Sequence, residues 1–194
     1  MSIEGTKNAL RLEIKRLIES LSEEEKRRQS NVVFEKLLKL PVFLNSRRIA
    51  VYLSHSGEID TEPIVRHIFE TGGECFIPRC SKIEMQMVKL NSMMDWETLP
   101  LVKLNIKQPH LSEKREDAFE NGRLDLIICP GAAFTKHGHR LDYGCEYYNK
   151  FFAKIKLIQS PPPFTVALAF KQQMVNQIPW EDTDILIDSV LFEN

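Results

Sequence analysis

Apolar residues recur along this chain with two different periods, and the switches between them mark its elements. From Lys7 to Leu21, Leu10, Ile14, Leu17, Ile18 and Leu21 fall on one helical face between basic residues, which predicts an amphipathic helix. Ser22 followed by Glu25 fits a helix-capping pair, and Val33, Leu37 and Leu40 mark a second helical face that Pro41 ends. RIAVYL, from Arg48 to Leu53, is short and rich in strand formers and predicts a buried strand leading into the loop SHSGEID. Thr61 to Phe69 predicts a helix with Pro63 in its first turn, stopped by Gly72 and Gly73 and followed at once by a strand, CFIP. Strand, helix and strand within about 30 residues make a β-α-β unit, hence parallel neighbours joined by a right-handed crossover. MQMVKL (from Met85), LDLIIC (from Leu124) and TVALAF (from Thr165) read as further strands, and DILIDSVL closes a mixed tail. Between the last two clear strands a helix should begin near Tyr143 to Glu146 and run through Phe152 to Ile158, where SPPP stops it. The polar stretch from Asn91 to Asn121 predicts no regular element. Strand and helix alternation predicts a three-layer α/β/α fold, a mostly parallel sheet with helices on both faces, as a single domain over residues 1–194. In such sheets ligands bind beyond the carboxyl ends of the strands. The loops to inspect are therefore Ser54 to Thr61, Arg79 to Lys82 and Pro130 to Glu146.

Charge and composition narrow the partners. The chain carries 26 Lys+Arg against 27 Asp+Glu, a formal net charge of -1, and so offers no long-range field for a nucleic-acid backbone. No apolar run approaches the roughly 18 residues that a spanning helix needs, so no membrane association is expected. The opening stretch MSIEGTKNALRLEIKRL has Glu4 and Glu13 and no continuous apolar segment, which makes a cytoplasmic location the expectation. Cys75, Cys80, Cys129 and Cys145 show no paired spacing of the metal or disulfide type and read as reduced thiols.

Candidate chemistry collects in the strand-end loops. There is no GxxxxGK[ST] phosphate loop and no GxGxxG after a strand. The loop after LDLIIC holds Lys136, His137, His139 and Arg140, all able to meet an anion, although a solvated polar loop has the same composition. His137 and His139 lack a third metal ligand nearby. Glu58, at the end of the first strand, can accept paired hydrogen bonds from an amino-substituted heterocycle, whereas Asp60, Thr61 and Glu62 suit a helix start. Tyr147 and Tyr148 can pack, stack or hydrogen-bond at their helix start. Lys7 and Arg11 lie four apart on one helix face and can reach one polyanion together, though a solvated face is the simpler reading of the pair alone.

Taken together, Lys7 and Arg11, GEIDTEPI, FIPR, NIKQP, LDLIICPG, FTKHGHRL, EYYN, ALAFKQQ and the terminal IP with DILIDSV run in order along the chain. In that set the chain resembles the 5-formyltetrahydrofolate cyclo-ligase family, also called methenyltetrahydrofolate synthetases. The resemblance implies a monomeric enzyme that uses ATP and Mg to close 5-formyltetrahydrofolate to 5,10-methenyltetrahydrofolate through a phosphorylated formyl group, releasing ADP and phosphate. It implies that Lys7, Arg11, Arg140, Leu141, Gly144, Tyr147 and Tyr148 surround ATP. It further implies that Leu53, Glu58, Gly144 and Tyr147 hold the folate, that Asp188 helps to hold Mg, and that Arg79 meets phosphate.

The same comparison exposes departures in the loop that follows Arg140. Where the family pattern reads R-L-G-x-G-K-G-Y-Y-D, this chain has Asp142, Cys145, Glu146 and Asn149. Two added acids facing a triphosphate each oppose it by roughly 4 kcal/mol at about 4 Å and an effective dielectric of 20. Lost glycines would also remove any left-handed backbone the loop requires. Leu104 stands where the family often has Trp, and Thr135 where an Asp is common. The alternative function is therefore a diverged member that keeps the fold and a folate pocket but has weak or no catalysis. The orientation of Asp142 and Glu146 separates the two: side chains turned to solvent favour turnover, and side chains turned into the cleft favour binding alone.

Overall fold

The computed structural model describes residues 2–194. Its first three helices are α1 (Ile3–Glu19), α2 (Glu23–Leu37) and the short α3 (Pro41–Asn45). Ser2 caps α1 by accepting the Gly5 N–H at 3.1 Å, and Ser22 caps α2 by accepting that of Glu25 at 3.1 Å. Pro41 ends the second helical run as its rigid φ suggests, but it also opens α3 at a first-turn position where its missing N–H costs nothing. Beyond these lie β1 (Arg48–Val51), α4 (Glu62–Glu70), β2 (Glu74–Cys80), β3 (Met85–Leu90) and α5 (Met93–Thr98). The second half contains β4 (Leu126–Cys129), β5 (Ala133–Phe134), β6 (Arg140–Leu141), α6 (Tyr147–Ile158), β7 (Phe164–Leu168) and β8 (Ser189–Leu191).

The main sheet has six strands in the order β3-β2-β1-β4-β7-β8. All neighbours are parallel except β2 and β3, which form an antiparallel pair with Ile77 opposite Val88. The sheet is thus the mostly parallel one that the alternation predicts, with an antiparallel edge. Its central strands are apolar on both faces, and all four residues of β4 are buried, because helices cover both sides. Connections leave the adjacent strands β1 and β4 in opposite directions, β1 through α4 to β2 and β4 through α6 to β7. Since both crossovers take the right hand, α4 and α6 lie on opposite faces. The helices α2 and α3 share the face of α4: Phe34 and Phe43 pack on His67 with ring centroids 6.2 Å and 5.5 Å away. Three layers result, and the point where the strand order reverses lies between the carboxyl ends of β1 and β4. A crevice opens at such a switch point because the two crossovers diverge from it.

Two elements differ from the sequence expectation. The stretch after β4 is not open loop but a small antiparallel hairpin, β5 and β6, whose turn is tightened by Gly138 at φ +90°. A Cβ at Gly138 would sit 2.2 Å from the Ile187 carbonyl oxygen, so only glycine admits the tail segment there. The Asn91 to Asn121 region contains α5 and one 3-10 turn at Lys103–Asn105, and it is stitched to β3 by a bridge between Val88 and Asp117.

Candidate active site

Four segments meet at the switch point: the loop after β1 with Leu53 and Glu58, the β5–β6 hairpin with Arg140, the turn before α6, and the amino-terminal half of α1. Glu58 is held by its own loop. Its side chain is 7% exposed, one oxygen accepts the His55 backbone N–H at 3.1 Å, and the other lies 3.5 Å from His55 Nε2. His55 Nδ1 accepts the Gly57 N–H at 3.0 Å, which puts the proton of the neutral ring on Nε2, facing Glu58. Burial lowers the His55 pKa below its ordinary value, so this ring is neutral near pH 7. Burial likewise pushes the Glu58 carboxyl up to about 7, opposed by the His55 N–H, the Tyr143 hydroxyl and the charge of Arg140.

Arg140 is 7% exposed and donates from Nε to the Pro130 carbonyl at 2.6 Å and from a terminal nitrogen to Asn149 Oδ1 at 3.4 Å. No carboxylate among the described residues pairs with it. Its guanidinium lies 5.1 Å from the centre of the Tyr148 ring. The Tyr148 hydroxyl is buried without a hydrogen-bond partner, within electrostatic reach of Arg140 and Glu58. A buried hydroxyl left unpaired is costly, and a ligand atom arriving there would satisfy it. Tyr147, in contrast, donates to the Ser81 carbonyl at 2.6 Å and ties the helix start to the end of β2.

The basic pair on α1 is present but engaged. Lys7, 5% exposed, meets Glu181 at 2.7 Å and Asp184 at 3.0 Å. Arg11 meets Asp142 twice, through the carboxylate at 2.7 Å and the backbone carbonyl at 2.8 Å, and Glu4 at 2.8 Å. The same oxygen of Asp142 also accepts the Gly144 N–H at 2.7 Å. One anionic oxygen is therefore gripped by a guanidinium and a backbone N–H at the mouth of the loop. Gly144 has φ +91° and nothing within 4 Å of where a Cβ would stand, so the loop is open on that side. The orientations of the two acids are split: Asp142 turns inward, while Glu146 is 69% exposed and pairs at the surface with Lys150. Neither adopts the left-handed region, which among the non-glycine residues described is confined to Leu104 and Asn105.

Three expected residues stand elsewhere. Asp188 precedes β8, where its carboxylate accepts the Thr165 N–H at 2.8 Å and hydroxyl at 2.9 Å. That is near the amino end of β7, roughly 10 Å along the strand from its carboxyl end. No group of three or more metal-ligating side chains occurs among the described residues. Leu141 has its side chain in the core, 1% exposed, and only its backbone borders the loop. Arg79 is committed to structure: it donates to the Glu113 carbonyl at 2.6 Å and to Gln86 at 2.9 Å, stapling the loop over β2 and β3. Lys136 and His137 are exposed at the hairpin turn, and His139 packs at a tilt against Trp180 with centroids 4.7 Å apart. A cleft beside Leu53 is walled by Trp96, Asn105 and Lys107. The sequence signals for it were Leu53 itself and Leu104 before NIKQP, where the family often has Trp; Trp96 and Lys107 were not singled out.

Residues 3–193 match the model of the 5-formyltetrahydrofolate cyclo-ligase family. The chain belongs to that family. A 5-formyltetrahydrofolate cyclo-ligase of Mus musculus is 39% identical over 100% of this chain and 97% of its own. A probable 5-formyltetrahydrofolate cyclo-ligase of Caenorhabditis elegans is 37% identical over 99% and 95%. Among solved structures, the NMR structure of Aquifex aeolicus 5,10-methenyltetrahydrofolate synthetase superposes with a TM-score of 0.77 at 28% identity, covering 95% of this chain and 88% of that one. In this cyclo-ligase family member, the buried side chains of Glu58, Arg140 and Tyr148 gather beyond the carboxyl ends of β1 and β4.

Proposed function

We propose that this chain is an ATP-dependent 5-formyltetrahydrofolate cyclo-ligase, forming 5,10-methenyltetrahydrofolate with release of ADP and phosphate. The observation that carries the nucleotide half of this reading is the Asp142 oxygen held between Arg11 and Gly144. Its donors are the kind a phosphate uses, a guanidinium and the backbone N–H of a residue with positive φ, which supports a phosphate oxygen taking its place. ATP would supply the phosphoryl group that turns the formyl oxygen into a leaving group. The chain's residues then have separable tasks. Arg11, Lys7 and Gly144 grip the polyphosphate once their own carboxylates are displaced. Arg140, buried and without a carboxylate partner, stabilises the negative charge that grows on the transferring group. Glu58 orients the amino-bearing pterin head through its two oxygens. Asp188 does not fit a magnesium role, and no step is assigned to a metal held by the protein.

The test is direct. Purified protein with ATP, magnesium salt and 5-formyltetrahydrofolate should show the rise in methenyltetrahydrofolate absorbance, stoichiometric with ADP. A chain that binds folate yet gives no ATP-dependent absorbance change is the binding-only member of the family.

A further inference from the structure

The NIKQP stretch plays no part in the site described above, yet it walls a cleft of about 220 Å³. The near wall is Leu53, Ser54 and Thr61, where β1 runs out and α4 begins, and the far wall is Trp96, Asn105 and Lys107. The far wall is set by an unusual turn. Leu104 and Asn105 have φ of 60° and 57°, a region bulky side chains rarely enter, and Val102 and Ile106 close the turn with a 2.8 Å backbone hydrogen bond. This geometry brings Lys107 over Trp96, its ammonium 4.5 Å from the indole centre, with one further hydrogen bond of 3.1 Å to the Glu97 carbonyl.

Among the described residues Lys107 has no carboxylate partner, although acids share the rim. Neither acid is within ion-pair distance of Lys107: Glu62 accepts from Arg66 at 2.8 Å, and Asp60 turns to the start of α4 and accepts the Glu62 N–H at 3.0 Å. A half-buried cation, held in place by a ring and left without a counter-charge, is complementary to an anion. Leu53 joins this cleft to the loop of Glu58. A folate has matching parts in matching order: a hydrogen-bonding pterin head, an aromatic p-aminobenzoyl spacer and a glutamate tail with free carboxylates.

We infer that Lys107 reads the carboxylates of the glutamate tail while Trp96 walls the aromatic spacer, making this cleft the specificity subsite for the substrate's anionic end. The inference rests on the folate reading of the neighbouring site. In it, Lys107 is a binding residue and takes no part in the chemical step.

The test pairs a variant with a truncated ligand. Binding of 5-formyltetrahydrofolate and of 5-formyltetrahydropteroate, which lacks the glutamate, is titrated calorimetrically against the full chain and against Lys107→Gln and Lys107→Arg. Lys107→Gln should weaken the complete ligand about tenfold and leave the pteroate within twofold, with Lys107→Arg close to the parent. Turnover should show the loss in the folate KM, with kcat and the ATP KM within twofold. Equal weakening of both ligands, or of neither, overturns the subsite. If the unmodified chain binds the folate but never turns it over, the ligase reading fails while the ligand-by-variant comparison still decides the role of Lys107. If it binds neither ligand, both readings fall.

Discussion

At the scale of single residues, Glu58 shows how one side chain trades stability for binding. Its carboxyl is pushed up to about 7, chiefly by burial, so the folded state holds its proton at a pH where the unfolded chain has released it. The sign follows: Glu58 leaves stability intact below about pH 4.5 and subtracts from it progressively as pH rises through 7, by on the order of 3 kcal/mol at most. Glu58→Gln should therefore melt higher than the parent at pH 8 and about equal to it at pH 4.5, as read by thermal denaturation. The same substitution removes the ionised acceptor for the pterin head. For the parent, apparent folate affinity should fall about tenfold from pH 8 to pH 6 as the carboxylate is protonated, and the glutamine variant should bind weakly with no such slope. A parent whose affinity is flat over that interval would mean that Glu58 is not the group reading the ligand.

At the scale of elements, the loop between β6 and α6 decides how nucleotide enters. Of the two acids it adds to the family pattern, only Asp142 reaches inward. It sits 13% exposed against an Arg11 that is 15% exposed, whereas Glu146 stands in water at the start of α6. A partly buried pair of this kind resists displacement, while an exposed pair four residues apart on a helix contributes only a few tenths of a kcal/mol. Asp142→Gly should lower the nucleotide KM about tenfold by freeing Arg11 and the Gly144 amide, and Glu146→Gly should change it less than twofold. Steady-state kinetics at saturating folate measure both, and equal responses would show that bulk charge, rather than the Arg11 contact, sets nucleotide entry.

Legibility at this scale followed the strength of the local pattern. The strands β1, β4 and β7 announced themselves because burial on both faces demands unbroken apolar runs, and α1 because its apolar face faithfully repeats every three to four residues. The hairpin β5–β6 was hidden because two-residue strands around TKHGH leave no period to read. The helix α5 was hidden because none of its residues is fully buried, so no apolar face marks it. Order along the chain was enough to bring two candidates near one another, Glu58 after β1 and Arg140 after β4, whose charge acts on the Glu58 carboxyl. Asp188 stands apart from them because a spacing motif does not say which end of a strand a residue occupies, and Arg79 because a sequence does not reveal that a guanidinium is bonded to loop carbonyls.

At the scale of the whole molecule, the two chain ends and the middle converge on one place. Lys7 ties α1 to Glu181 and Asp184, and Arg11 ties the same helix to Asp142, so a helix from the beginning of the chain closes over a hairpin loop and a segment near the end. These ties are ionic and partly buried, so a polyanion that takes over Lys7 and Arg11 must displace their carboxylates. A ligand that binds only the folded chain adds about 2.7 kcal/mol at a hundred times its Kd. For a protein of this size each kcal/mol moves the melting temperature by about 2–4 °C, so saturating Mg-ATP should raise it by roughly 5–11 °C. Replacing Arg11 by alanine should remove most of that rise while leaving the shift caused by 5-formyltetrahydrofolate, because Arg11 faces the loop and not the Leu53 cleft. A parent protein stabilised by the folate but indifferent to Mg-ATP would indicate that the internal carboxylates hold α1 too tightly for nucleotide to displace them, and the chain would then act as a folate-binding member of its family.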